Sequence, residues 1–437
     1  MGLQGSASEE WFRRASEVLV NGVSSQFRYW GDEDTLVIER GEGGYVIDVD
    51  GKRYLDLQCG FGPIILGHGD PAVAQAVAET VPHATSFAMT QRREVEAAEK
   101  VVAALQWPSR IRFTNTGTEA TMHAIRLARG VTNRDLVIKF EGQYHGMHDY
   151  VLFSTAGGPA GHMGSRFQPV PWQSSSGIPE GIRSYIRTLP YNDLEVVEQK
   201  FRDEGGAIAA VIVEPMLGNA FGIMPAPGYL EGLRRLCDEY GAMLIFDEVK
   251  TGFRLGLGGA VAEFDVVPDI GTYAKAMGNG FPVAAIALGL RAAEGWRQGG
   301  IAQAGTYSGN GIAAAAASAT IDRLSDGTAY AQIDRVGQRM MDGLAKSMAD
   351  RGIAGHVVGH PAMFSVFMAD EAPREFRDSV KHDHSTYDAV AFKMIEKGVM
   401  PCPDALEPWF VCAALTTDDA DTAVHAFDES LAEVLAG

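Results

Sequence analysis

Cysteine is scarce: Cys59, Cys237, Cys402 and Cys412 are the four thiols in 437 residues. No two of them form a CxxC pair and none has metal-type spacing, so neither a disulfide framework nor a metal centre is expected. So few thiols in so long a chain fit a reducing compartment. Long apolar runs are missing too, and none approaches the roughly 18–20 residues that span a bilayer. The opening MGLQGSASEEWFRRA carries acids early and has no apolar core, so no signal peptide is expected and the cytosol is the expected location. Positive charge is also short. Lys and Arg number 37 against 56 Asp and Glu, and the net charge of -19 argues against nucleic acid or an anionic membrane as a partner.

Glycine, by contrast, is plentiful at 51 residues, in a chain that is 46% hydrophobic. That mix suits a compact α/β enzyme of two or three domains, or one large domain with a smaller appendage. The stretch Met243 to Pro282 organises the rest. Met243-Leu244-Ile245-Phe246 reads as a buried strand that stops at Asp247-Glu248-Val249. A second half-apolar run ends at Tyr273-Ala274-Lys275-Ala276, just before Gly278-Asn279-Gly280.

Around this stretch the pattern alternates. Helices are expected at 93–105, from Asn115-Thr116-Gly117-Thr118-Glu119 through Arg129, and at 228–240. Strands are expected at Arg110 to Thr114, Val137 to Phe140 and Ala207 to Val213. This rhythm implies a mostly parallel sheet, whose ligands sit beyond the carboxyl ends of the strands. Thr114 to Thr118, Gln143 to His145, Glu214, Asp247 and Lys275 all fall at such ends. Earlier in the chain, 8–20 reads as an amphipathic helix with Trp11, Phe12, Ala15 and Val18 on one side. Residues 45–57 read as a hairpin about Asp50-Gly51, and a helix follows Pro71. Residues 155–185, rich in Gly, Ser and Pro, read as a long functional loop and a candidate lid. Past Asn310, helices at 311–325, 328–351, 385–397 and 418–435 with strands at 356–368 and 409–415 break the rhythm and suggest a C-terminal α+β domain.

The chemistry follows from residue types. Lys275 has only small and apolar neighbours, and a poorly hydrated lysine has a lowered pKa and acts as nucleophile and proton carrier. A carboxylate that ends a buried strand, as Asp247 does, is costly unless paired. A protonated pyridine nitrogen would pair it. Together they supply what a pyridoxal 5'-phosphate enzyme needs, a lysine for the Schiff base and an acid for the ring nitrogen. Val249 points the same way as Asp247 in an extended segment and can pack on the ring. Thr116 and Glu119 have capping-box spacing, and the same helix start offers N–H groups and the hydroxyls of Thr116 and Thr118 to a phosphate. Tyr144 is placed to stack on the ring with His145 beside it, and Glu214 brings a further carboxylate that orders polar groups. Gly278-Asn279-Gly280 lacks the GxGxxG spacing of a nucleotide fingerprint, which opposes an oxidoreductase.

These residues sit within a wider set of motifs: Asp50-Gly51-Lys52-Arg53-Tyr54-Leu55-Asp56, Leu66-Gly67-His68, Asn115 to Ala120, Tyr144-His145-Gly146, Glu214-Pro215, Phe246-Asp247-Glu248-Val249, Thr251-Gly252-Phe253-Arg254 and Gly305 to Asn310. Over nearly its whole length the chain resembles the class III aminotransferases among the fold-type I pyridoxal phosphate enzymes. Within them it is most similar to the glutamate-1-semialdehyde 2,1-aminomutase-like branch. The resemblance implies a large domain (71–320) that binds pyridoxal 5'-phosphate. It also implies a small α+β domain built from the N-terminal segment (1–70) and residues 321–437. It makes Lys275 the Schiff-base lysine and Asp247 the pyridinium partner. Gly117 and Thr118 then bind phosphate, and Tyr144 and Val249 sandwich the ring. Thr306 reaches the phosphate of a neighbouring subunit, which implies a homodimer with shared active sites.

For the substrate, the resemblance makes Arg28, in Gly22-Val23-Ser24-Ser25-Gln26-Phe27-Arg28, the group that holds a carboxylate, and Glu407 its partner when no substrate is bound. Met147 stands where ornithine-type members carry Arg. Phe61 replaces the aminomutase Trp, the run after Lys275 lacks the aminomutase's triple glycine, and Phe27, Tyr29 and Trp30 make the pocket mouth aromatic. These departures favour an intermolecular aminotransferase that takes a carboxylate-bearing amine and a carbonyl acceptor. The alternative is the aminomutase, an isomerase that exchanges nitrogen within one substrate. Epimerisation, elimination or a non-catalytic binding role stand behind both.

Overall fold

The computed structural model describes residues 6–83, 85–298 and 300–437. Its centre is a seven-stranded sheet in the order Arg110–Thr114, Ala284–Leu288, Ile270–Tyr273, Met243–Glu248, Ile208–Val213, Leu136–Phe140, Ile186–Leu189. Every neighbouring pair is parallel except the two made by Ala284–Leu288, which runs against both of its neighbours. Every residue of Ile208–Val213 and of Met243–Glu248 is buried. Both faces of these strands are covered by helices, which is why they read as continuous apolar runs rather than as alternating ones.

Strand alternation divides the core. Met243 and Ile245 pack on one face with Ala124, Ile125 and Ala128 of the helix Gly117–Thr132. Leu244 and Phe246 pack on the other, in the larger cluster that takes in Leu233 and Leu236 of Tyr229–Tyr240. The elements expected at 110–114, 137–140, 207–213, 228–240, 311–325 and 328–351 are all present within a few residues. Ile186–Leu189 and Ala284–Leu288 were not expected. The second is mostly alanine, a residue depleted in strands, and packing alone makes it one.

The N-terminal hairpin forms as Asp50-Gly51 suggests, with Tyr45–Asp48 against Arg53–Asp56 and Gly51 at φ +85°. Val399–Met400 then adds to Arg53–Asp56 in parallel, so the two ends of the chain share one sheet. The stretch 356–368 is two strands, His356–His360 and Met363–Phe367, rather than one, and of 409–415 only Trp409–Phe410 is strand. The first helix spans Ala7–Val18, but of the expected apolar side only Phe12 is buried. Trp11 is 46% exposed and Val18 81%, while the Arg14 guanidinium lies 4.1 Å from the Trp11 ring centre. The candidate lid 155–185 holds two short 3-10 helices and a two-residue strand pair. Arg166 fastens it to Asp193 and Glu375. Among the described residues, no helix is long and apolar enough to cross a membrane.

Two buried side chains hold the N-terminal loop onto this framework. Arg254 is fully buried and donates to the carbonyls of Gly62, Ile64, Ala362 and Val411 at 2.7–3.2 Å. Asn279 accepts from the amides of Ile65 and Leu66 through Oδ1 and donates to Gly67 O through Nδ2. Arg254→Met would leave the carbonyls of Gly62, Ile64 and Val411 without their donor, while Ala362 O keeps the Val411 amide. Each unsatisfied buried acceptor costs roughly 1–3 kcal/mol. The expected loss is at least about 3 kcal/mol, read as a lower midpoint in urea unfolding. A loss below about 1 kcal/mol would mean that water takes over the guanidinium's role.

Candidate active site

The carboxyl ends of the central strands open into a cavity of about 200 Å³ lined by Gly117, Thr118, Tyr144, His145, Gly146, Glu214, Asn219, Asp247, Val249, Lys250, Ala274 and Lys275. Eight of the residues singled out from sequence (Gly117, Thr118, Tyr144, His145, Glu214, Asp247, Val249 and Lys275) are brought together here. None of the lining residues comes from 155–185, because that loop is tied down elsewhere, so the lid expectation is not met in this conformation.

Asp247 and Glu248 are consecutive on a strand and so point to opposite faces. Asp247 turns to the cavity in register with Thr272 of the next strand. Its Oδ2 lies 2.7 Å from His145 Nδ1, and its Oδ1 accepts from Thr272 Oγ1 at 3.0 Å and from the Val249 amide at 3.1 Å. Glu248 is buried on the far side, where it accepts from Tyr273 Oη and the Ala260 amide, and burial pushes its carboxyl up to about 7. Thr272 had no signal in the sequence; strand register alone sets it opposite Asp247.

Lys275 follows the end of Ile270–Tyr273 in a left-handed conformation, φ +44°. A non-glycine residue there costs roughly 1–3 kcal/mol, and strain of this kind collects where function fixes the side chain. Removal from water is the main cause that pulls the Lys275 amine down to about 7, and the Lys250 ammonium adds to it. Glu407, Glu214 and Asp247 pull the other way.

The helix Gly117–Thr132 starts at the cavity. Thr116 is its N-cap and accepts from the Glu119 amide at 3.1 Å, while Glu119 accepts from the Thr116 amide, a complete capping box. The Thr116 hydroxyl accepts in the cap, and Thr116 does not line the cavity, whereas Gly117 and Thr118 do. First-turn amides lack intrahelical acceptors and suit a phosphate. Glycine is required where the backbone closes in. A Cβ at Gly117 would come within 2.9 Å of Val249, and one at Gly146, φ +98°, within 2.6 Å of Thr118. Glu214 is a fastening: Oε1 accepts from the Tyr144 amide, and Oε2 from the amides of Gly218 and Asn219. Its burial raises its pKa.

The expected substrate residues lie nearer the mouth. Phe27 sets its ring edge-on to Tyr144, centroids 5.9 Å apart, and against Phe61 at 6.3 Å. Ser24 and Arg28 are exposed on the same loop. Glu407 does not pair with Arg28. Its two oxygens lie 2.6 and 2.7 Å from Lys250 Nζ, because Lys250 comes off the end of the Asp247 strand beneath it while Arg28 turns to solvent. Lys250 was not singled out in the sequence. Thr306 is exposed and outside the cavity of its own chain, with its carbonyl accepting from Ser86 Oγ.

The donor set fits pyridoxal 5'-phosphate on the structure's own terms. A strained lysine with a low pKa, a buried carboxylate braced by His145 and Thr272, and a helix start crowded to glycine share one cavity. Residues 28–431 match the class III aminotransferase family. The chain is 37% identical over 430 residues to the glutamate-1-semialdehyde 2,1-aminomutase of Desulfatibacillum aliphaticivorans, covering 98% of this chain and 99% of that one. It superposes on an omega-transaminase from Sphaerobacter thermophilus with a TM-score of 0.93 at 27% identity, covering 99% and 98% of the two chains. A transaminase with pyridoxal phosphate bound gives 0.88 at 27% identity, covering 98% of each chain. The chain belongs to the class III aminotransferases, enzymes that depend on pyridoxal 5'-phosphate.

Proposed function

We propose that this protein exchanges an amino group within a small carboxylate-bearing substrate, as a glutamate-1-semialdehyde 2,1-aminomutase does. The observation that carries the reading is near end-to-end kinship with a protein of that name, 37% identical over 98% of this chain. It weighs against the preference drawn from sequence departures, an intermolecular aminotransferase. That second reading keeps support from one structural observation. Glu407 is paired with Lys250 and not with Arg28, so the expected aminomutase arrangement at the mouth is altered.

Bound pyridoxal 5'-phosphate supplies an aldehyde for an amine to capture and a ring that takes up electrons from a substrate carbon. The residues divide the remaining work. Lys275 offers a neutral amine near physiological pH and, once free, carries a proton at Nζ. Asp247, oriented by His145 and Thr272, would face the ring nitrogen. Gly117 and Thr118 would hold the phosphate, and Val249 and Tyr144 would flank the ring. Glu214 keeps Tyr144 and the 218–219 turn in place. Thr306, exposed and outside its own chain's cavity, would serve the phosphate of a second copy in a homodimer, as the resemblance implies.

Lys275 and the cofactor are tested together. Above about 7 the Lys275 amine is mostly neutral, so capture of added pyridoxal 5'-phosphate by the apoprotein speeds up as pH rises through about 7 and levels off beyond it. A rise centred on the ordinary lysine value would show an amine in full contact with water. In Lys275→Ala, borohydride treatment leaves no cofactor mass on the chain; label retained at another lysine removes Lys275 from its role. The substrate is tested with glutamate-1-semialdehyde alone. The aminomutase reading expects 5-aminolevulinate with no second substrate. No product until a carbonyl acceptor is added, with release of the donor's keto acid, replaces it with the intermolecular reading.

A further inference from the structure

Lys250 is the second lysine of the cavity, three residues beyond Asp247. Its side chain is 5% exposed, and its ammonium donates to both oxygens of Glu407 and to Gly218 O at 3.0 Å. An ammonium has three protons, so all three are in use. The stem passes so close to Gly218 that a Cβ there would stand 3.1 Å from Lys250 Cδ. The Phe410 ring centre lies 5.7 Å from Nζ.

A buried ion pair is a poor stabiliser, because taking both ions out of water offsets most of their attraction. Apolar residues would serve as well in a position that was only structural. This pair lies at the wall of the cavity, and its cation is the member that lines it. The other charges of the wall are already committed. Asp247 is held by His145 and Thr272, Glu214 accepts from three backbone amides, and Lys275 is the reactive amine. Arg28 is exposed outside the lining. A substrate carboxylate that enters this cavity therefore meets a cation at Lys250, and meets it already covered by another carboxylate of the same charge and shape.

We propose that Lys250 is the carboxylate receptor of the cavity, and that Glu407 occupies it until the carboxylate of a substrate takes its place. The exchange is carboxylate for carboxylate, with no proton transferred and no bond made or broken beyond hydrogen bonds. Glu407, 16% exposed and carried on the segment between Pro403 and Pro408, moves aside toward water. Selectivity for acidic substrates then has two parts. Lys250 attracts the carboxylate, and Glu407 sets the affinity that an incoming anion must exceed. Neutral amines meet a site with no net charge and gain nothing by displacing Glu407. The proposal rests on the reading of the substrate as a small carboxylate and names the residue that meets it.

The test uses the cofactor-loaded protein and two probes that carry neither an amine nor a ketone and differ by one methyl group, pentanoate and its methyl ester, with binding read by calorimetry. Lys250→Met alone would leave Glu407 buried without a partner. The informative variant is Lys250→Met with Glu407→Gln, which removes both charges together and is checked for its thermal midpoint. The wild type is expected to prefer the acid over the ester by roughly tenfold or more. The double variant is expected to lose that preference with ester binding unchanged. Glu407→Gln alone is expected to bind the acid several-fold more tightly, because the internal competitor has lost its charge. Arg28→Ala is expected to keep the preference. A double variant that still prefers the acid overturns the proposal, as does a Glu407→Gln protein whose affinity for the acid is unchanged or weaker. The proposed function fails separately. If the wild type shows no absorbance change with glutamate-1-semialdehyde or with any amino donor, that reading falls, while the binding comparison still reports on Lys250.

Discussion

A guanidinium sealed from water holds this molecule's active site together. Arg254 follows the strand that carries Asp247, and its donors reach a loop near residue 62, the turn at Ala362 and the stretch after Phe410. Those three segments come from distant parts of the chain and share no strand pairing with the central sheet. Burial lowers the Arg254 pKa, and carbonyl dipoles rather than a carboxylate carry the compensation. Asn279, further along the chain, repeats the device and fixes residues 65–67 to the turn that bears Lys275. The parallel sheet supplies Asp247 and Lys275, and these two polar anchors bring the walls to them.

Charge near the cavity is arranged by pairing rather than by exclusion. His145 and Thr272 brace Asp247, backbone amides hold Glu214, and Glu407 covers Lys250. Lys275 is the exception, and burial is the main cause that lowers its pKa. Glu248, one residue from Asp247, shows the contrast. Turned to the opposite face and buried with a tyrosine hydroxyl, it is pushed up to about 7 and takes no part in the cavity.

Much of the cavity was legible in the sequence because strand-end positions converge in an alternating fold. Asp247, Lys275, Gly117, Thr118, Tyr144, Glu214 and Val249 were placed by that rule and by the family motifs, and all of them line it. What the sequence hid depends on contacts between segments far apart in the chain. Thr272 matters only because register sets it opposite Asp247. Asn279 sat inside a glycine-rich run whose spacing matched no motif, yet its amide group is what closes the N-terminal loop. Glu407 was identified but given the wrong partner, since nothing in one dimension tells whether Arg28 or Lys250 lies beneath it. The strand Ala284–Leu288 escaped notice because alanine has little preference for strands, and burial between two neighbours makes the choice instead.

That same strand has a further consequence. It runs back against Ile270–Tyr273, so the chain reverses at the cavity and does not set off on a crossover to the far side of the sheet. Lys275 is therefore mounted on a short bight whose two ends are both sewn into the same fabric. A closed turn of this kind has few ways to rearrange. The backbone acts as a fixed post, and the reach of the amine belongs to the four methylenes of its side chain. The lysine can let go of a partner and return to it without any part of the sheet having to move.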